Sequence, residues 1–161
     1  MSSPDSWGQR RGRRLPSGEE RNYHLMFPDI SARTIEVVRD IVTVKGLWRV
    51  STEEGFELLR EMFTRFSEIY GIPVPGLHQD SYEHYLIPAE EIGLPRPSLV
   101  SACHEYRHHM QKYGRLRYRD KEVDARAWSI SVFYLALPEA FDRAWRQGRI
   151  WYMPPYPGGA H

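Results

Sequence analysis

Residues 98–113 read Ser-Leu-Val-Ser-Ala-Cys-His-Glu-Tyr-Arg-His-His-Met-Gln-Lys-Tyr, and Gly114 follows. A serine in front and a glycine behind are helix start and stop signals, so the stretch predicts one helix. Within it His104, Glu105, Tyr106, Arg107 and His108 form the pattern H-E-x-x-H. Positions four apart on an α-helix differ by about 40° and stack one turn apart. Both imidazoles then face the same way and can hold one zinc ion at about 2.0–2.1 Å each. Glu105 is offset from His108 by about 60°. That puts a carboxylate beside the ion without making it a ligand, able to take a proton from water and return it to a leaving amine. His109, turned about 140° from His104, belongs to the surface or to a supporting hydrogen bond. Cys103, in the apolar lead-in, is a packing residue.

A metal site with chemistry needs a third protein ligand and an open fourth position. Glu122, Val123, Asp124 and Ala125 come downstream, just after Asp120, which can cap a segment running over residues 121–137. Glu122 falls in its first turn and can point back at the first helix, while the small Ala125 lets the two helices approach. Asp124 is rotated about 200° from Glu122 and cannot bind the same ion on a regular helix. Its expected role is to accept a hydrogen bond from a ligand imidazole. A second donor for a tetrahedral intermediate is also needed, and His84, Tyr113 and Tyr118 are the candidates.

Working outward, Ser51 with Glu54 makes a capping box. Phe56, Leu59, Met62, Phe63, Phe66 and Ile69 follow at helical spacing until Gly71 and Pro73, which predicts a scaffold helix. Residues 34–44, rich in Ile and Val, predict a strand broken at Arg39 and Asp40, and Lys45-Gly46 turns it toward a short run over 47–50. Residues 82–87, Tyr-Glu-His-Tyr-Leu-Ile, predict a strand whose mixed polarity suits a sheet edge. The uncharged run 127–137 predicts a core element in which Trp128 and Phe133 pack. Pro138 admits a short helix through Trp145.

With 161 residues, 41% of them hydrophobic, the chain fits one domain with an ordinary core. Basic and acidic residues number 22 and 21, which argues against a protein dominated by polyanion binding. One cysteine excludes an internal disulfide framework and suits a reducing compartment. No apolar run is long enough to span a bilayer and no basic-then-apolar segment opens the chain, so a cytoplasmic location is expected. Residues 1–22, with Arg10, Arg11, Arg13 and Arg14, predict a mobile basic tail. Residues 23–150 form the domain, and 151–161, with Trp151, Tyr152 and Tyr156 among prolines, predict an extended strap ending at His161.

H-E-x-x-H with a downstream E-x-x-A on a second helix resembles the gluzincin metallopeptidases. The length is most similar to their minimal intracellular members, the minigluzincin and ImmA/IrrE-like proteins. The resemblance spans residues 34–137 in element order. It implies an α+β, zincin-like fold: a small, mostly antiparallel sheet on a scaffold helix, a motif helix and a glutamate helix. It also implies His104, His108 and Glu122 as ligands of one zinc ion per chain, Glu105 as general base, and a polypeptide substrate. The substrate would pair as an added strand along Tyr82, His84 and Leu86. Two positions depart from the pattern. Arg107 is charged where such motifs usually carry uncharged residues, and is expected to face solvent. Asp124 lies two residues after the glutamate, whereas larger gluzincins place an acid four after it. The competing readings are a non-catalytic zincin-fold interaction module and a nucleic-acid-associated protein using the arginine tail.

Overall fold

The computed structural model describes residues 27–114 and 116–150. The expected basic tail and the aromatic strap lie outside them. The described chain is α+β, with five α-helices and one three-stranded sheet: α1 (Ala32–Arg39), a π-helical segment (Asp40–Val44), α2 (Thr52–Tyr70), β1 (Gly76–Gln79), β2 (His84–Leu86), β3 (Glu91–Leu94), α3 (Leu99–Lys112), α4 (Lys121–Ala136) and α5 (Pro138–Arg146).

Residues 34–44 are helical, not a strand. Thr34, Val37, Val38, Ile41 and Val42 are the buried positions, and that spacing is one helical stripe. Ser31 starts the helix by accepting the Thr34 N–H at 3.2 Å. The helix penalty for β-branched residues is a few tenths of a kcal/mol each, far less than about 1.5–3 kcal/mol for burying a Val or Ile side chain. The end of the segment widens into π-helix, where the Lys45 N–H bonds Asp40 O at 2.8 Å. Residues 47–49 form a turn rather than a second strand.

The scaffold helix is α2, capped by the Ser51 hydroxyl and stopped by Gly71 at φ +66°. It buries Phe56, Leu59, Met62, Phe63 and Phe66 as the spacing requires. Phe63 stacks on Tyr106 at 5.4 Å, and Phe66 meets Trp128 edge-on at 6.3 Å. The Tyr106 hydroxyl is satisfied by Ser67 at 2.9 Å. These rings join α2 to the two helices that carry the motif residues. Trp128, Phe133 and Cys103 are all buried, as packing residues should be.

The sheet order is β1-β3-β2, with β3 parallel to β1 and antiparallel to β2. It is therefore mixed rather than mostly antiparallel, because β1 and β3 run the same way on either side of the returning β2 segment in sequence. Among the described residues β2 has one strand neighbour and forms an edge, as its polarity predicted. β1 and β3 gave no sequence signal; at four residues each, with a glycine in both, they are too short to show alternation. Leu77, Ile92 and Leu94 are buried, whereas His78 and His84 are only partly buried. Among the described residues no helix is long and apolar enough to cross a membrane.

Candidate metal centre

Helices α3 and α4 share the most extensive helix–helix contact in the fold. Ser98 caps α3 through the Ser101 N–H, and Asp120 caps α4 through the Val123 N–H. Those two caps fix where each helix begins, and hence which way His104, His108 and Glu122 point. The Glu122 carboxylate straddles the two imidazoles. Its Oε1 is 3.1 Å from His104 Nε2, and its Oε2 is 2.7 Å from His108 Nε2. All three donor atoms lie within 4.8 Å of one another. Ligand atoms about 2.0–2.1 Å from one tetrahedral ion stand about 3.3 Å apart, so the His₂Glu set fits zinc with small side-chain adjustments. Glu122 is 61% exposed, which leaves the cluster open toward a cleft of about 900 Å³.

The orientation of His108 is fixed from behind. The Gln111 amide nitrogen donates to Lys121 O at 3.0 Å and to Asp124 Oδ2 at 2.9 Å. Its oxygen therefore faces His108 and accepts the Nδ1–H at 2.8 Å. With Nδ1 engaged in this way, Nε2 is the ring atom turned to the cluster and the one that can take a metal. Burial lowers the proton affinity of His104, although the hydrogen bond and charge of Glu122 work the other way, and a neutral imidazole is the form that binds metal. Glu105 is buried, with Oε2 3.9 Å from His104 Nε2. Burial first, then hydrogen bonding and repulsion from Glu83 and the charge of Glu122, push its carboxyl up to about 8. A divalent cation in the cluster acts in the opposite direction.

Asp124 does not touch an imidazole. It acts on His108 through Gln111, which lies one turn beyond His108 and carries no motif signal of its own. Asp124 also corrects the placement of Arg107. That side chain is buried, at 3% exposure, not solvent-facing. Its Nε and Nη2 donate to the two Asp124 oxygens at 2.8 and 3.3 Å, and its Nη1 donates to Asp29 Oδ2 at 2.6 Å. Burial opposes the charge, but the hydrogen bonds and charges of Asp124 and Asp29 outweigh it and hold the guanidinium protonated. Asp29 Oδ1 takes the Trp128 indole N–H at 3.1 Å.

His109 is buried rather than at the surface. Its Nε2–H donates to Pro73 O at 2.7 Å, and its Nδ1 accepts the Tyr85 hydroxyl at 2.8 Å. Of the oxyanion candidates, Tyr113 donates to Glu90, and neither it nor Tyr118 lines the cleft. His84 does line it, but its Nδ1–H is used by Tyr82 O at 3.1 Å and its Nε2 lies 3.7 Å from Asp80. Tyr82 and Leu86 are exposed, at 60% and 46%. Glu83, held by the Ser101 hydroxyl at 3.1 Å, sits with Glu105 and His104 in the same cleft. It carried no sequence signal, since nothing local ties it to a motif 21 residues away.

Comparison with known proteins finds no match: no family model fits the chain, and no curated protein or solved structure is significantly similar to it.

Gln111→Leu tests the support behind His108. Loss of a partner that orients a ligand typically costs 10–100-fold in metal affinity, so zinc affinity at the cluster is expected to fall by about that factor. Competition against a chromogenic chelator reads it; an unchanged constant would mean that His108 needs no such support.

Proposed function

We propose that this protein is a zinc-dependent peptidase of minimal, zincin-like architecture, acting on polypeptide substrates. The observation that carries the reading is the Glu122 carboxylate bridging the paired Nε2 atoms of His104 and His108 across two helices. The donor chemistry agrees: two neutral imidazoles and one carboxylate are the set found in catalytic zinc sites with a vacant position. Zinc bound there supplies a Lewis acid for the peptide carbonyl and acidifies water.

The chain's own residues do the rest. Glu105, buried beside the cluster and outside the ligand set, takes the proton from the attacking water and passes it to the leaving nitrogen. Glu83 lies against Glu105, and its hydrogen bond and charge raise the proton affinity of that carboxyl. The open edge of β2, flanked by exposed Tyr82 and Leu86, offers main-chain groups to an extended substrate. His84, Tyr113 and Tyr118 are all committed elsewhere or outside the cleft, so none of them is assigned to the oxyanion.

The test is cleavage of a defined peptide mixture, followed by mass spectrometry, with protein stripped by chelator and then restored with zinc. New termini are expected only in the restored sample. Cleavage indifferent to chelation would sink the proposal. Stoichiometric capture of intact peptides by zinc-loaded protein would replace it with a non-catalytic binding module.

A further inference from the structure

A second constellation of metal-binding side chains lies outside this cleft cluster, on the sheet. His78 on β1 and His84 on β2 are both paired with Gly93 of the central strand β3. They therefore occupy one cross-strand row on one face. Their backbones lie two strand spacings apart, about 10 Å, yet their ring centroids are only 5.7 Å apart. The rings lean toward each other across the position where Gly93 has no side chain. A Cβ at Gly93 would collide with the His84 ring.

Both rings are held in the tautomer a metal needs. The His78 Nδ1–H donates to Glu91 Oε1 at 3.2 Å, and the His84 Nδ1–H donates to Tyr82 O at 3.1 Å. Glu91 reaches His78 by lying over Gly76, where a Cβ would strike the carboxylate. With each Nδ1 engaged in this way, Nε2 is the ring atom left to take a metal. The two Nε2 atoms converge on one oxygen: Asp80 Oδ2 is 3.5 Å from His78 Nε2 and 3.7 Å from His84 Nε2. The other Asp80 oxygen is occupied by the Ser81 N–H at 2.7 Å, which orients the carboxylate. The donor atoms all lie within 4.8 Å of one another.

We propose that His78, Asp80 and His84 form a second site for a divalent transition metal, which cross-links the two outer strands of the sheet. Two imidazoles and one carboxylate suit zinc, copper or nickel and do not suit calcium or magnesium, which take oxygen ligands. The carboxylate–imidazole pair of Glu91 and His78 is the arrangement that raises a ligand's basicity and fixes its orientation. His78 and Asp80 are about two-fifths exposed, which gives an ion its way in, while Tyr82 covers the His84 ring at 4.4 Å. An ion here ties β1 to β2 through side chains, where main-chain ladder hydrogen bonds join each of them only to β3. It fixes the same strand that is proposed above to receive substrate, but it stands independently of any hydrolysis.

The experiment is zinc titration of chelator-stripped protein by calorimetry, with carbethoxylation of histidines read peptide by peptide. Wild type is expected to bind two zinc ions per chain, with His78 and His84 protected by zinc and not by calcium. A His104→Ala/His108→Ala variant should keep that protection, and Asp80→Ala should weaken it at least tenfold while leaving the cleft ion in place. Should a variant fail to fold, the wild-type protection pattern decides alone. Zinc that leaves His78 and His84 fully reactive overturns the proposal, whatever the outcome of the peptidase assay.

Discussion

Glu105→Gln protein is expected to lose peptide hydrolysis by about 10²–10⁴-fold while keeping its ion at His104, His108 and Glu122. The amide has the shape of the carboxyl and fits the same buried space, but it cannot accept a proton. Glu105 also contributes no atom to the His₂Glu set, so metal content should not change. The measurement pairs initial rates on a peptide the wild type cleaves with metal analysis of the same samples. Undiminished cleavage would remove Glu105 from the reaction; loss of metal with loss of rate would make it a ligand. Stability should hold or rise, because the substitution removes the crowding of two carboxyl groups at Glu83 and Glu105.

Arg107→Ala has the largest expected effect on the fold. It strips a buried cation from two carboxylates, and breaking a buried pair from one side costs about 3–5 kcal/mol. For a domain of this size the loss corresponds to a fall in Tm of roughly 10–20 °C. The solvent-facing position inferred from charge alone would give less than about 0.5 kcal/mol, so thermal denaturation separates the two placements cleanly. Arg107→Lys should recover only part of the loss, since an ammonium cannot span both Asp124 oxygens and Asp29 together. Pairing Arg107→Ala with Asp124→Ala in a double-mutant cycle should return a large coupling. Metal affinity should also drop in Arg107→Ala, because Asp124 would be free to shift and Gln111 with it.

The parts of this fold that were readable had local punctuation. Helices α2, α3 and α4 each carry a capping side chain, a stripe or run of apolar residues and a stop, and each was found within a residue or two. The H-E-x-x-H geometry follows from helix pitch alone, and Glu122 from its place in a capped first turn. Errors came where a local preference met a distant partner. Val37, Val38, Ile41 and Val42 favour strands in isolation, yet their spacing is helical and the core takes that stripe. Arg107 reads as a surface charge until Asp29 is known to reach it. Its sequence neighbours offered a hint, since Cys103 and Met110, one turn to either side, are apolar and buried. Gln111 was in plain view, but a glutamine has no signal of its own; only the His108, Asp124 and Lys121 contacts give it a task. The His78–Asp80–His84 constellation depends on strand register, which two glycine-containing four-residue strands do not announce.

The half-buried Asp29 carboxylate has a consequence for how the molecule is made. It precedes Arg107 by 78 residues and Trp128 by 99 in the chain. Contacts of such wide separation must wait for loop closure and slow the approach to the native state. On a ribosome adding about 5–20 residues per second, Asp29 emerges at least about 5 s before the indole it will hold. Until then the segment can fasten only to the scaffold helix, where the Tyr70 hydroxyl donates to Asp29 O at 2.9 Å, and its carboxylate waits for the guanidinium and the indole. The proposed cleft site would likewise be completed late in biosynthesis, since Glu122 follows His104 by 18 residues and lies on the second of the two helices.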